Sequence, residues 1–472
     1  MTATRLAPDL CIVGGGAGGL AVAAGAVQMG AAVVLVERGL MGGDCLNFGC
    51  VPSKSLLAAA RLADAWRRGP QFGLDYAPPR IDFAAVGAGV ERVVAGIAPN
   101  DSAERFAALG VRVVQAEARF TGPRVLRAGD FEIAPRRFVV ATGSHPAVPP
   151  IPGLADAPFM TNETVFANRV PPEHLIVIGG GPVGIEMAQA HRRLGARVTV
   201  LDVGPLLPRD DPELVDALAA RLADEGIALR PRVAIAAVEA EGAALGVRLA
   251  GGERIVGSHL LVAAGRRPTV DGLDLEAAGI AATAAGVTVD RRLRTTNRIA
   301  FAVGDVAGGP QFTHVAFHHA GIVIRNALFR LPAKVDYRAL PWVVYTDPEL
   351  AQVGMTEAAA RAADIRVRVL RWRFADNDRA LTERDTAGLI KIVARRNGRI
   401  LGASVLGAGA GELILPWALA VAQKLKVSAM ADLIVPYPTR SEAGKRAAGS
   451  FYTPTLFSTR TRRLVRLLAR FG

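Results

Sequence analysis

The chain is poor in cysteine, aromatic residues, lysine and histidine. Three cysteines in 472 residues are too few for a disulfide-framed secreted scaffold. Aromatics make up 6%, and nowhere do they interleave with a Lys/Arg stripe, so the net charge of +13 does not mark a nucleic-acid surface. The basic residues are nearly all arginines, a general bias that anionic cofactors would balance, and no nucleic-acid partner is expected. Of the seven histidines none follows His319. No signal peptide stands out, and the expected compartment is the cytoplasm. Leu10 to Val36 carries no charge and could pass for a membrane span, but its glycines argue otherwise. An apolar fraction of 51% over this length suits a large core and three or four domains.

Those glycines belong to a unit that occurs twice. Asp9 to Val13 reads as a short strand, Gly14, Gly16 and Gly19 form G-x-G-x-x-G, a small-residue helix follows, and Ala32 to Val36 makes a second strand ending at Glu37. Leu175 to Ile178, then Gly179, Gly181 and Gly184, then Val198 to Leu201 and Asp202 repeat it, with the same spacing from first glycine to acid. Such glycines give a tight turn that a pyrophosphate can approach, the helix N-terminus faces the phosphates, and the acid binds ribose hydroxyls. Two complete copies imply two dinucleotides. Asp202 at the second strand end predicts NADH, with NADPH as the alternative, because an acid there repels a 2′-phosphate.

Between the copies' elements lies Gly42 to Lys54, with Cys45 and Cys50 five residues apart. An ideal helix separates such positions by roughly 8.5 Å, beyond the roughly 7 Å a disulfide tolerates. Pairing would therefore place Cys45 before a helix and Cys50 in its first turn, with Gly49 at the bend. The helix dipole there favours a thiolate. Taken alone, C-x4-C also admits two unrelated thiols or half a zinc site. Zinc would want further ligands, and no third Cys or His lies at ligand spacing. Cys11 falls in the first strand and is expected to be buried.

This segment and the glycine units resemble the flavoprotein disulfide reductases, the class I pyridine nucleotide-disulfide oxidoreductases, over nearly the whole chain. The closest resemblance is to the mercuric reductase branch, followed by dihydrolipoamide dehydrogenase. The resemblance implies an α/β fold: two Rossmann-like dinucleotide-binding domains plus a C-terminal α+β dimerisation domain. The implied divisions are an FAD-binding part at 1–147, an NAD(P)-binding domain at 148–268, a second FAD-binding part at 269–336 and an interface domain at 337–472. It implies that Cys45 and Cys50 form the redox-active disulfide and that Lys54 pairs with Glu186 beside the flavin. FAD contacts are implied at Glu37, Arg38, Gly43, Ala118, the Thr142-Gly143-Ser144 turn and Asp305. Gln311, Phe312, Thr313 and His314 should line the ring, and Gly265 belongs to a turn closing the nicotinamide domain. Electrons would pass from NADH through FAD and the disulfide to a small-molecule or metal-ion acceptor. Cys50 would stay beside the flavin while Cys45 meets the substrate. His318 and His319, being adjacent, point apart, and no resident metal is expected. Gly411 to Lys426 reads as one helix, and Gly388 to Val393 and Ile400 to Leu406 as adjacent strands.

Thiol-active relatives end the interface domain with His-Pro-T-x-x-Glu, which acts on the partner subunit's cysteines. Here the segment is Tyr437-Pro438-Thr439-Arg440-Ser441-Glu442. A phenol with a pKa of about 10 is a poor base at neutrality, so lipoamide or glutathione turnover should be weak. Mercuric reductases also carry Tyr there. Against a dedicated mercuric reductase, the tail holds no vicinal Cys-Cys and no metal-binding C-x-x-C domain leads the chain. The tail from Thr459 to Arg470 is a basic amphipathic helix, expected to pack on the homodimer, with contact to an anionic membrane as the alternative. The alternatives to a metal reductase are a dihydrolipoamide dehydrogenase-type enzyme and a membrane-associated electron donor.

Overall fold

The computed structural model describes residues 3–241 and 244–471. The first glycine unit builds a five-stranded parallel sheet in the order Ala300–Ala302, Arg137–Val140, Leu10–Val13, Val33–Glu37, Arg112–Gln115. Its central strands are uninterrupted apolar runs because both faces are covered. The strand Ala300–Ala302 comes from beyond the second glycine unit. The first sheet is thus completed only after the chain has built the second.

That second sheet is parallel in the order Ile227–Arg230, Arg197–Leu201, His174–Ile178, His259–Val262. The strands Ser144–Pro146 and Arg266–Pro268 pair as a ribbon joining the two units. The third sheet is antiparallel, ordered Pro341–Val344, Glu349–Gly354, Ile400–Gly407, Leu389–Arg395, Val367–Arg373. Helices pack on it through a core that includes Phe374, Trp417 and Ala447. The expected single helix at 411–426 is two, Ala410–Leu413 and Leu415–Ala422, and Lys426 begins the next turn. Pro416 lacks the N–H that would continue the first helix and sits instead in the opening turn of the second.

The contact that sets up the site joins the helix Cys50–Asp64 to the helix Pro182–Arg193. Leu56, Leu57 and Ala60 bury against the core holding Ile185, Met187 and Ala188. Each leucine contributes about 2 kcal/mol of burial. One face of the cysteine helix is thereby fixed against the second glycine unit.

Candidate functional site

Two glycine turns of one design flank a cavity of about 1460 Å³. Gly14 has φ +113° and Gly179 φ +119°, and a Cβ on either would lie 2.3 Å from a carbonyl oxygen, that of Ala141 or Ala263. Only glycine fits there. At Gly19 and Gly184 a Cβ would meet the carbonyl of Gly14 or Gly179 at 1.9 Å, so these two let each helix lie on its own turn. They are packing positions behind the cavity wall. The helices Ala17–Gln28 and Pro182–Arg193 start from Gly16 and Gly181, which are extended and offer no side-chain cap. Their leading N–H groups are left for an anion.

The acids close their own turns. Glu37 accepts from Gly15 N at 2.5 Å and Gly39 N at 2.6 Å. Asp202 repeats this with Gly180 N at 2.5 Å and Gly204 N at 2.6 Å. Both stand at the cavity, with Arg38 and Ala118 on the Glu37 side.

Cys50 begins its helix as expected. Cys45 does not precede all helix: it sits in a separate short one, Gly43–Asn47. Gly42 and Gly43, at φ 87° and 59°, start this extra turn, and Asn47 Nδ2 ties it by donating to Met41 O and Gly43 O. A Cβ on Gly43 would be 2.7 Å from Gly16 Cα, so the cysteine loop docks directly on the first glycine turn.

Both thiols open on the cavity, and none of the three cysteines is bonded. Cys50 Sγ lies 3.3 Å from Thr313 Oγ1. The hydrogen bond from Cys45, that from Thr313 and the charge of Lys54 bring the Cys50 thiol down to about 6 despite its burial. Cys45 is pushed far up, first by its hydrogen bond to Cys50 and then by burial. At neutral pH the pair therefore holds one thiolate, on Cys50, and one proton, on Cys45. Cys11 is buried in its strand, well away in the core.

Lys54, one turn after Cys50, reaches Glu186 Oε2 at 2.8 Å. Glu186 is buried, and its Oε1 accepts from Tyr345 N at 3.0 Å. The Tyr345 ring lies 4.5 Å below Lys54 Nζ. The ammonium is held between a carboxylate and a ring face, and Tyr345 links the interface sheet to the pair. Tyr345 directly follows the strand Pro341–Val344, and no sequence motif marks it.

A second chain of polar groups runs from Asp305 to the cysteine loop. Ser144 Oγ donates to Asp305 Oδ2 at 2.5 Å, and Arg266 Nε donates to Ser144 Oγ at 2.7 Å. Arg266 Nη2 also lies 3.2 Å from Asp44 Oδ1, beside Cys45. Thr142 Oγ1 donates to Thr269 O. Gly265, at φ +124°, forms the turn that aims Arg266. Gln311, Phe312 and His314 line the cavity near Thr313; the His314 ring stacks on Phe312 and its Nε2 meets Pro341 O at 2.9 Å. His319 is buried, its Nδ1 accepting from Gly304 N and its Nε2 meeting Tyr337 Oη.

Tyr437 and Glu442 lie away from this cavity. Tyr437 is 70% exposed on the outside of the interface domain, where its hydroxyl donates to Asp378 Oδ2 at 2.9 Å. Glu442 opens the helix Ser441–Gly449.

Comparison with known proteins agrees with this build. Residues 8–320 match the family model "Pyridine nucleotide-disulphide oxidoreductase", and residues 340–448 match the dimerisation domain of the same family. The chain belongs to the pyridine nucleotide-disulphide oxidoreductases. It is 38% identical to a mercuric reductase of Streptomyces lividans, covering 94% of this chain and 96% of that one. A dihydrolipoyl dehydrogenase of Thermus scotoductus is 36% identical, covering 94% and 97%. Among solved structures, the Cu(II) complex of the HOCl-induced flavoprotein disulfide reductase RclA from Escherichia coli matches with TM-score 0.86 at 28% identity, covering 94% and 99%. LpdA from Mycobacterium tuberculosis matches with TM-score 0.86 at 29% identity, covering 95% and 99%.

The enzyme is accordingly an FAD-containing, NAD(P)H-dependent oxidoreductase, and its dimerisation domain marks a homodimer. The residues present fit both nucleotides. The uncapped helix starts leave N–H groups free for pyrophosphates, and a Cβ on Gly181 or Gly143 would meet no protein atom within 4 Å. Cys45 and Cys50 fit a redox-active disulfide. Among the described residues no helix is long and apolar enough to cross a membrane.

Proposed function

We propose that the enzyme is an NADH-dependent reductase of soft metal ions, of mercuric reductase type, acting through Cys45 and Cys50. The Gly14 unit and Asp305 hold FAD, which relays electron pairs between the nicotinamide and the cysteines. The Gly179 unit holds NADH, with Asp202 against the ribose. Cys50 supplies a thiolate, Thr313 and Lys54 stabilise it, and Cys45 is the second sulfur ligand for a thiophilic cation. Tyr437 and Glu442 serve the partner subunit's cysteines.

The observation that carries this reading is the state of Tyr437. Its hydrogen bond to Asp378 and that carboxylate's charge raise the phenol pKa above its ordinary value. Such a group keeps its proton at neutral pH, so it neither delivers a proton to a disulfide acceptor nor takes one back at useful rates. A disulfide acceptor needs two protons as it becomes a dithiol, whereas Hg(II) takes two electrons and no proton. The whole-length likeness to the Streptomyces lividans mercuric reductase supports the same acceptor class. The dihydrolipoyl dehydrogenase reading rests on a similar likeness, but Tyr437 stands where its interface domain would supply a histidine, and no histidine follows His319.

Replacing Cys45 by Ser tests the assignment. Hg(II)-dependent NADH oxidation should vanish, while anaerobic NADH still bleaches the flavin absorbance. Retained Hg(II) turnover in the Cys45→Ser enzyme would exclude the pair as the reducing site.

A further inference from the structure

The last helix of the chain, Thr459–Leu468, lies beyond the matched dimerisation domain, which ends at residue 448. Ser458 Oγ caps it by accepting from Thr461 N at 3.2 Å. None of its residues is buried. Leu464, Leu467, Leu468 and Phe471 recur at three- and four-residue spacing and so share one face. They are 53%, 49%, 57% and 81% exposed. Arg462, Arg463 and Arg466 fall on the other side of the helix by the same spacing, and Arg460, four residues before Leu464, stands at the N-terminal end of the leucine face. Just before it, Leu456 and Phe457 are also exposed. No acidic residue follows Glu442.

Charge decides what this face is for. The tail is expected to pack on the homodimer, but the charged residues of this helix are all positive, so the surface that pairs with its polar face has to be anionic. An anionic bilayer meets both faces at once: the apolar arc enters the acyl boundary and the guanidinium groups pair with lipid phosphates. A helix this short cannot span; it can lie in the plane of the interface.

We propose that the Thr459–Leu468 helix docks the enzyme reversibly on anionic lipid bilayers. The docking is independent of which acceptor the cysteines reduce. It requires both arcs: loss of the leucines removes insertion, and loss of the arginines removes selection for negative lipid. It also weakens as salt screens the surface.

The test is flotation of the FAD-loaded enzyme with phosphatidylcholine vesicles and with vesicles containing phosphatidylglycerol. The enzyme should float with the anionic vesicles and not with the neutral ones, and high salt should release it. Leu464→Glu with Leu468→Glu, and separately Arg462, Arg463 and Arg466→Gln, should each reduce the floated fraction about tenfold. NADH-driven turnover in solution should be retained. Light scattering on the same samples reads the rival role. If the wild-type enzyme stays with the soluble fraction on both vesicles, the proposal falls. A leucine variant that turns monomeric while wild type fails to float would instead make the helix a subunit contact. Equal flotation on neutral and anionic vesicles would also overturn the proposal.

Discussion

The Tyr437 hydroxyl donates to Asp378 Oδ2, and the carboxylate that fixes this phenol therefore comes from the first residue of the helix Asp378–Thr382, not from Glu442 on its own segment. A histidine at this position would titrate near neutrality; a phenol bonded to a carboxylate holds its proton well beyond it. The two side chains meet on the exposed face of the interface domain, where a partner subunit can receive them.

Tyr437→His should therefore open thiol chemistry. Proton transfer by a positioned imidazole is worth about 10²-fold or more, so lipoamide-dependent NADH oxidation should rise at least tenfold in this variant. The assay is steady-state turnover with lipoamide as the varied acceptor. An unchanged rate would mean that proton supply does not limit the thiol reaction.

The Cys50 thiol, brought down to about 6, should titrate visibly in the reduced enzyme. Its thiolate fraction goes from about one-tenth a unit below that value to about nine-tenths a unit above. The thiolate ultraviolet band, with Cys50→Ser as the blank, should rise over that window and stay level above it. Lys54→Met removes a charge that favours the thiolate and should move the rise to higher pH.

Asp202→Asn should relax the choice of nucleotide. The amide oxygen still accepts one of the N–H groups of Gly180 and Gly204, while the charge that repels a 2′-phosphate is gone. The ratio of kcat/KM for NADPH to that for NADH should rise by about tenfold, roughly 1.4 kcal/mol of discrimination.

Substituting Lys391 should cost stability without touching the cavity. Its ammonium is buried on the interface sheet and pairs with Asp211 Oδ1 at 2.9 Å, Glu213 Oε2 at 2.8 Å and Glu357 Oε2 at 3.0 Å. Burial opposes its charge, but these carboxylates win and raise its pKa. Lys391→Met leaves Asp211, itself fully buried, without its cation, at a cost of about 3–5 kcal/mol. Thermal unfolding at fixed scan rate should show a marked fall in Tm. An unchanged Tm would mean that the carboxylates are neutralised some other way.

Much of this architecture could be read from local spacing. The two glycine units and their acids are short-range patterns, since turn, helix start and strand end all fall within about two dozen residues. Lys54 and Glu186 were paired from the resemblance, and their helices pack so that the two meet. What the sequence hid are partners set by packing between distant segments. Arg193 is an ordinary helix-end arginine in the sequence; in the fold it is buried among Glu225, Asp347 and Asp64, tying the cysteine helix to the second unit and the interface segment. Arg266 lay inside a recognised turn, yet its link to Asp44 depends on how the Ser144–Pro146 ribbon crosses between units. Asp378 had no motif at all. Cys45 does precede the helix that Cys50 opens, but consecutive positive-φ glycines start an extra short helix around it that composition alone would read as loop.

The most direct test of the account is NADH oxidation by the purified flavoenzyme with Hg(II) in excess thiol, run beside the same assay with lipoamide. The account predicts Hg(II)-dependent turnover with little lipoamide activity, because the pair presents a Cys50 thiolate and Tyr437 keeps its proton. Strong lipoamide turnover with no response to Hg(II) would contradict it.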